Sequence, residues 1–167
     1  SPATISSREL RLDRLVITGG SGLFALNWAC RMCHQFDVIL GTHRHKVSLS
    51  GTRSVTLDLE SPDRFIQQLQ ELAPDVVVHT AGMTSVERCE QYPLEAEHAN
   101  ADLARNVAIA THALGIKLVH VSTDHLFSGD RSWASEECEP QPLNVYARTK
   151  LHAEKWVQEI NSQALIV

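Results

Sequence analysis

At 167 residues the chain has the length of one domain and room for a substantial buried core. Its 43% hydrophobic and 21% charged residues are ordinary for a globular domain, and a net charge of −5 with no basic block excludes nucleic acid as an obvious partner. No apolar run approaches the roughly 18 residues of a membrane span, residues 1–7 lack the charged start and apolar middle of a signal peptide, and four irregularly spaced cysteines do not suggest a secreted disulfide framework. The expected setting is therefore a reducing cytoplasm. Residues 1–13 read as a tail or cloning remnant and 14–167 as the domain.

Leu15-Val-Ile-Thr18 is a short apolar strand that runs into Gly19-Gly-Ser-Gly22 and then a helix. Leu23, Leu26, Cys30 and Cys33 recur at helical spacing and are expected to form that helix's buried face. Asp37 to Gly41 and Val55 to Leu59 read as the second and third strands. Ser61-Pro62 supplies a cap and a first-turn proline for the next helix, whose stripe is Phe65, Ile66, Leu69 and Leu72 and whose stop is Pro74. Asp75 to His79 is a fourth strand with the continuous apolar run of a sheet buried on both faces. A long helix is expected from Pro93 to Leu114, with Leu94, Ala99, Leu103, Val107 and Leu114 inward and Gly115 as its stop. Lys117 to Val121 is the fifth strand, 129–143 a polar loop, and a helix from Tyr146 to Ile160 precedes a sixth strand at Ala164 to Val167. Alternating strands and helices give an α/β fold, a doubly wound parallel sheet of the Rossmann type.

The glycine turn carries the first functional signal. In Gly19-x-x-Gly22-x-x-Ala25, Gly19 permits the tight turn, Gly22 lets backbone approach a pyrophosphate, and the helix N-terminus supplies N–H donors. The turn segment Gly19, Ser21, Gly22, Leu23 and Phe24 is thus the candidate dinucleotide cradle. A site preferring NAD places an acid about 20 residues on. Here that position reads Thr42-His43-Arg44-His45-Lys46, and Asp37 lies at the wrong end of the strand. A guanidinium such as Arg44 suits a 2′-phosphate, so NADP(H) is favoured over NAD(H).

Cys30-Arg-Met-Cys33-His34 matches a haem-attachment pattern. Placing both cysteines on the buried helix face argues against that use. No second Cys/His pair has zinc-ligand spacing, so no metal site is expected. His79, His120 and His125 fall near strand ends, where structural roles are the expectation.

The last signal is chemical. The fifth strand ends in Ser122-Thr123-Asp124, and Tyr146 and Lys150 share one face of the following helix. A free tyrosine has a pKa near ~10; the Lys150 ammonium would favour its phenolate, and Thr123 would hydrogen-bond a carbonyl oxygen. Hydride from a nicotinamide and a proton from Tyr146 would then reduce a ketone.

These residues resemble the extended short-chain dehydrogenases/reductases, and within them the dTDP-4-dehydrorhamnose reductase family and its sugar-nucleotide-reductase relatives. The resemblance runs from Arg14 to Val167 and is carried most by Val121-Ser-Thr-Asp-His-Leu-Phe-Ser-Gly129 and Pro142-Leu-Asn-Val-Tyr-Ala-Arg-Thr-Lys150. It implies Thr123, Tyr146 and Lys150 as the catalytic triad and Asp124 beside the sugar. It implies Asp58 and Leu59 at the adenine, and Ala81, Gly82, Met83 and Thr84 at the nicotinamide half, with Thr84 on the substrate side. Asn100 matches the family's helix asparagine near the active-site water. His125 stands where the family has an aromatic residue, and Ala147 where it has glycine. The family's substrate-binding segments lie past Val167, so that part is expected to be absent from this chain. The implied activity is NADP-dependent reduction of a 4-keto deoxysugar nucleotide, with a small-molecule nucleotide sugar as partner; a homodimer is compatible with it. Two other readings stand beside it. One is a non-catalytic NADP-binding subunit like the regulatory subunit of methionine adenosyltransferase. The other is a nucleotide-sugar epimerase or dehydratase, which would hold NAD tightly.

Overall fold

The computed structural model describes residues 13–43, 45–129, 135 and 137–167. The expected tail at 1–12 and Arg44 of the basic loop lie outside the described residues, as does part of the polar loop. Six strands form one sheet in the order β3-β2-β1-β4-β5-β6, each pair parallel. The strands are β1 Arg14–Thr18, β2 Asp37–Thr42, β3 Thr52–Thr56, β4 Val76–His79, β5 Lys117–His120 and β6 Leu165–Ile166. That order is the doubly wound one.

Side-chain alternation along the strands builds two cores. Val16, Ile39, Val77 and Leu118 face Phe65 and Leu69 of α2 (Pro62–Leu72), Val107 and Ala108 of α5 (Leu103–Leu114), and Ala153 and Val157 of α6 (Val145–Ile160). Ile17, Val38, Leu40 and Val78 face α1 (Leu23–Met32). Only small residues of α1, Ala25 and Ala29, are buried against the sheet, so the helix lies close to the strands. This corrects the expected stripe: Leu23 is 80% exposed, Cys30 is exposed and Cys33 only half-buried. The apolar residues sit one step around the helix from the alanines that make the contact.

The third strand begins three residues earlier than the apolar run suggests. Thr52-Arg53-Ser54 is an edge strand and needs no apolar face, whereas Leu57 is a buried loop residue whose N–H donates to Thr42 O at 2.9 Å. The long helix is present but interrupted. It consists of α4 (Pro93–Glu97), a π turn at His98–Asp102 and α5, and Gly115 ends it in the left-handed conformation with φ 65°. Leu94, expected inward, is 85% exposed. A short helix α3 (Val86–Gln91) is an addition, started by the Ser85 hydroxyl accepting from Arg88 N at 3.2 Å. Among the described residues no helix is long and apolar enough to cross a membrane.

Candidate active site

The register brings Thr18 beside Gly41 and His79, and His79 beside His120. The carboxyl ends of β1, β2, β4 and β5 therefore form one row, where sites of doubly wound sheets lie. Gly19 has φ +67°, and a Cβ there would stand 2.8 Å from the Ala81 backbone. The turn is thus pressed against the segment after β4, which only glycine allows. Gly20, which sequence reasoning did not single out, is held by its N–H to Gly41 O at 2.8 Å. Gly22 caps α1 without a side-chain hydrogen bond, and Ser21, Gly22, Leu23 and Phe24 are all exposed. The Gly22 N–H closes the turn on Gly19 O at 2.8 Å, and the first N–H groups of the helix beyond it, which lack intrahelical partners, fit a pyrophosphate.

A cleft of about 960 Å³ opens from this turn. Its walls include Gly19, Ser21, Leu59, Ala81, Gly82 and Met83 from the expected cofactor set. Gly22, Leu23, Phe24 and Asp58 are not among its lining residues, nor are Thr84, Thr123, Asp124, Tyr146 and Lys150. Thr42, His43 and His45 line its β2 end, and His98, Ala99 and Leu103 supply a wall that the sequence reading missed. The signal for that wall is weak, since Leu94, Ala99 and Leu103 follow the same helical spacing as core positions. Glu60, the acid on this side, is engaged by His98 Nε2 at 2.9 Å. Asp37 is at the far end of β2, bound by Arg14 Nε at 2.6 Å and Arg53 at 3.1 Å. Desolvation pushes its carboxyl up, but these guanidiniums outweigh that and hold it below the usual carboxylate range.

The cleft meets α6 through Met83, which packs with Tyr146 on Cys89, Ala96 and Val145. One residue fastens this junction. Asn100, 1% exposed in the π turn, accepts from Met83 N at 2.6 Å and donates to Met83 O at 3.1 Å and Thr149 Oγ1 at 2.9 Å. It ties the segment after β4 to the helix turn between Tyr146 and Lys150. A Cβ on Gly82 would come 2.6 Å from its Oδ1, so Gly82 makes room for the clamp. Cys89 adds a thiol hydrogen bond to Met83 O at 3.5 Å.

Asn144 starts α6 by accepting from Ala147 N at 2.8 Å, which sets Tyr146 and Lys150 on successive turns of one face. Tyr146 is half-buried, with the ring of His125 edge-on at 5.7 Å. Lys150 is 8% exposed and donates from Nζ to Val121 O at 2.6 Å. Burial pushes its ammonium down to about 8, partly opposed by the charge of Glu154. Thr123 Oγ1 accepts from His125 N at 3.2 Å, which leaves the hydroxyl proton available to a carbonyl oxygen. Asp124 and His125 are exposed beside it.

Behind Lys150, His79 and His120 are each 1% exposed and stack at 5.4 Å between centroids. Burial first, then repulsion between the two rings if both were charged and the Lys150 ammonium, hold His79 well below its ordinary value; burial and the Lys150 ammonium take His120 down to about 3. Both rings are neutral at physiological pH.

The family model described as the RmlD substrate binding domain matches residues 13–167. The dTDP-4-dehydrorhamnose reductase of Escherichia coli K12 is 34% identical over 111 residues, 65% of this chain and 37% of that protein. Bovine methionine adenosyltransferase 2 subunit beta is 31% identical over 163 residues, 92% of this chain and 45% of that protein. Among solved structures, the dTDP-4-dehydrorhamnose reductase of Bacillus anthracis in complex with NADP aligns with a TM-score of 0.79 at 29% identity, covering 99% of this chain and 54% of that one. The chain thus spans between 37% and 54% of the length of these relatives.

Proposed function

The chain belongs to the RmlD substrate-binding-domain family, and from that premise we propose that it carries the cofactor-binding and proton-donating half of an NADP-dependent reductase of a 4-keto deoxysugar nucleotide. The observation that carries the reading is the buried Lys150 ammonium, one helical turn from Tyr146 and fixed on Val121 O, two residues before Thr123. A structural lysine has no need of that position, since burying a charge is costly.

Ser21, Gly22 and the first turn of α1 would hold the pyrophosphate, Leu59 the adenine, and Ala81 to Met83 the nicotinamide half. When bound, the dinucleotide supplies a hydride to the carbonyl carbon. Tyr146 donates its phenolic proton to the developing alkoxide, and Thr123 donates a hydrogen bond to the same oxygen. Lys150 lowers the cost of the phenolate that results. The β2 end offers Thr42, His43 and His45 rather than an acid, which supports a 2′-phosphate and hence NADP(H). Asp124 and Thr84 would border the sugar.

The test is NADPH oxidation by the full-length polypeptide with dTDP-4-keto-6-deoxy sugars. Tyr146→Phe should lower kcat by about 10²–10⁴ with NADPH affinity retained. Arg44→Ala should weaken NADPH about tenfold, as loss of one phosphate partner predicts, and leave NADH unchanged. No turnover with any keto sugar sinks the reading. Tight NADP binding, no turnover and a co-purifying partner enzyme would favour the second reading, a regulatory subunit. That reading draws support from the 92% of this chain aligned with the bovine subunit.

A further inference from the structure

Buried polar atoms are nearly always paired, so each exception asks for an occupant. Among the described residues, His79 Nε2, both ring nitrogens of His120, and Ser122 Oγ are buried with no hydrogen-bond partner. They are not scattered. His79 and His120 are register neighbours on β4 and β5, and alternation from Val77 and Leu118 puts both on the α6 side of the sheet. Ser122 lies two residues beyond His120, and Val121 between them holds Lys150 Nζ. Among the described residues, four buried polar atoms without a partner thus lie on or next to the two strand ends that lead to the carbonyl anchoring the ammonium.

One ring nitrogen of His79 is already engaged. Thr18 Oγ1 accepts from Thr80 N at 3.2 Å and lies 2.7 Å from His79 Nδ1. Nε2 is the ring nitrogen left for a further partner, as donor or acceptor according to the tautomer. Neutral His120 offers one donor and one acceptor. A site with two to four such partners suits one water.

We propose that His79, His120 and Ser122 hold a buried water behind Lys150, and that this water fixes the ammonium in the orientation that serves Tyr146. The proposal rests on the reductase reading for its second half. It makes the two histidines positioning residues, because they act through Lys150 and touch neither cofactor nor substrate. Asn100 does not do this work, since its amide is spent on Met83 and Thr149. The charged and titratable groups acting here are Lys150, the two imidazoles and Glu154.

The experiment uses the full-length polypeptide labelled with ¹⁵N-histidine. The expected spectrum has both rings neutral and a magnetisation-transfer peak between a ring N–H and a long-lived water. In steady state, His120→Phe should keep NADPH affinity and lose about tenfold or more in kcat, the scale on which a misplaced group costs rate. The alkaline limb of its pH profile, where the Lys150 ammonium with its value near 8 is lost, should also move. His120→Asn, which can still hold a water, should recover the limb and most of the rate. No water peak at the pair overturns the proposal, as does His120→Phe with wild-type kcat and pH profile, or His120→Asn as impaired as His120→Phe. If His120→Phe does not fold by circular dichroism, His79→Phe is read against the same outcomes. If the wild type oxidises no NADPH, the reductase reading and the positioning role fail together, and the water peak alone decides the site.

Discussion

At the scale of single residues, the pair His79 and His120 has a consequence for stability that is independent of any reaction. Their folded pKa values lie below the unfolded 6.5, His120 at about 3. Between these values the unfolded chain binds more protons than the folded one, so the pair's contribution to stability is complete above about 6.5 and falls as pH drops. Each imidazole contributes a slope of about 1.4 kcal/mol per pH unit within its window. Urea midpoints measured from pH 7 to pH 4.5 should fall steeply, and replacing either histidine by phenylalanine should flatten the curve. A wild-type midpoint constant over that range would contradict the burial of both rings. Lys150 acts on the basic side: its folded value near 8 lies below the usual 10.5, so its contribution to stability rises between those two pH values.

At the scale of elements, the junction between the segment after β4 and helix α6 depends on Asn100. Asn100→Ala leaves the N–H and C=O of Met83 without these partners and should cost about 1–3 kcal/mol. Gly82→Ala pushes a methyl group against Asn100 Oδ1 and should act in the same direction. Denaturant unfolding checks both, and a loss under about 0.5 kcal/mol, the range of ordinary surface changes, would remove the clamp from the account. An opposite test lies at the end of α2. Ala73 takes the left-handed conformation at φ 46°, where glycine is at no disadvantage, so Ala73→Gly should stabilise by up to about 1 kcal/mol.

At the scale of the molecule, support and chemistry occupy opposite ends of the sheet. Asp37, Arg14 and Arg53 join strands at the end away from the cleft, and Arg14 also donates to Leu72 O at 2.6 Å. Asp37→Asn should therefore cost about 1 kcal/mol, as a partly exposed ion pair does, with NADPH affinity unchanged. The succession of strands and helices, the parallel doubly wound fold and the glycine turn were legible in the sequence because apolar runs and turn residues are local signals. So was the face shared by Tyr146 and Lys150, which needs only helical spacing. Four features were not legible. The exposure of Leu23 and Cys30 depends on which side of α1 meets the sheet, and alanine proved the closer-packing surface. The edge strand at Thr52 has no apolar pattern to read. The histidine pair arises from strand register, which joins residues 41 positions apart. The π turn at His98–Asp102 belongs with these, and it carries a lesson about chain length. A π turn holds one more residue than the α-helix around it needs. Deleting one residue there would give a plainer and more regular helix, but would swing Asn100 about a third of the way around the axis and off Met83. The helix from Pro93 to Leu114 is thus one residue too long for its own regularity, and that surplus is what lets it grip its neighbours. Selection for a more stable helix alone would remove it.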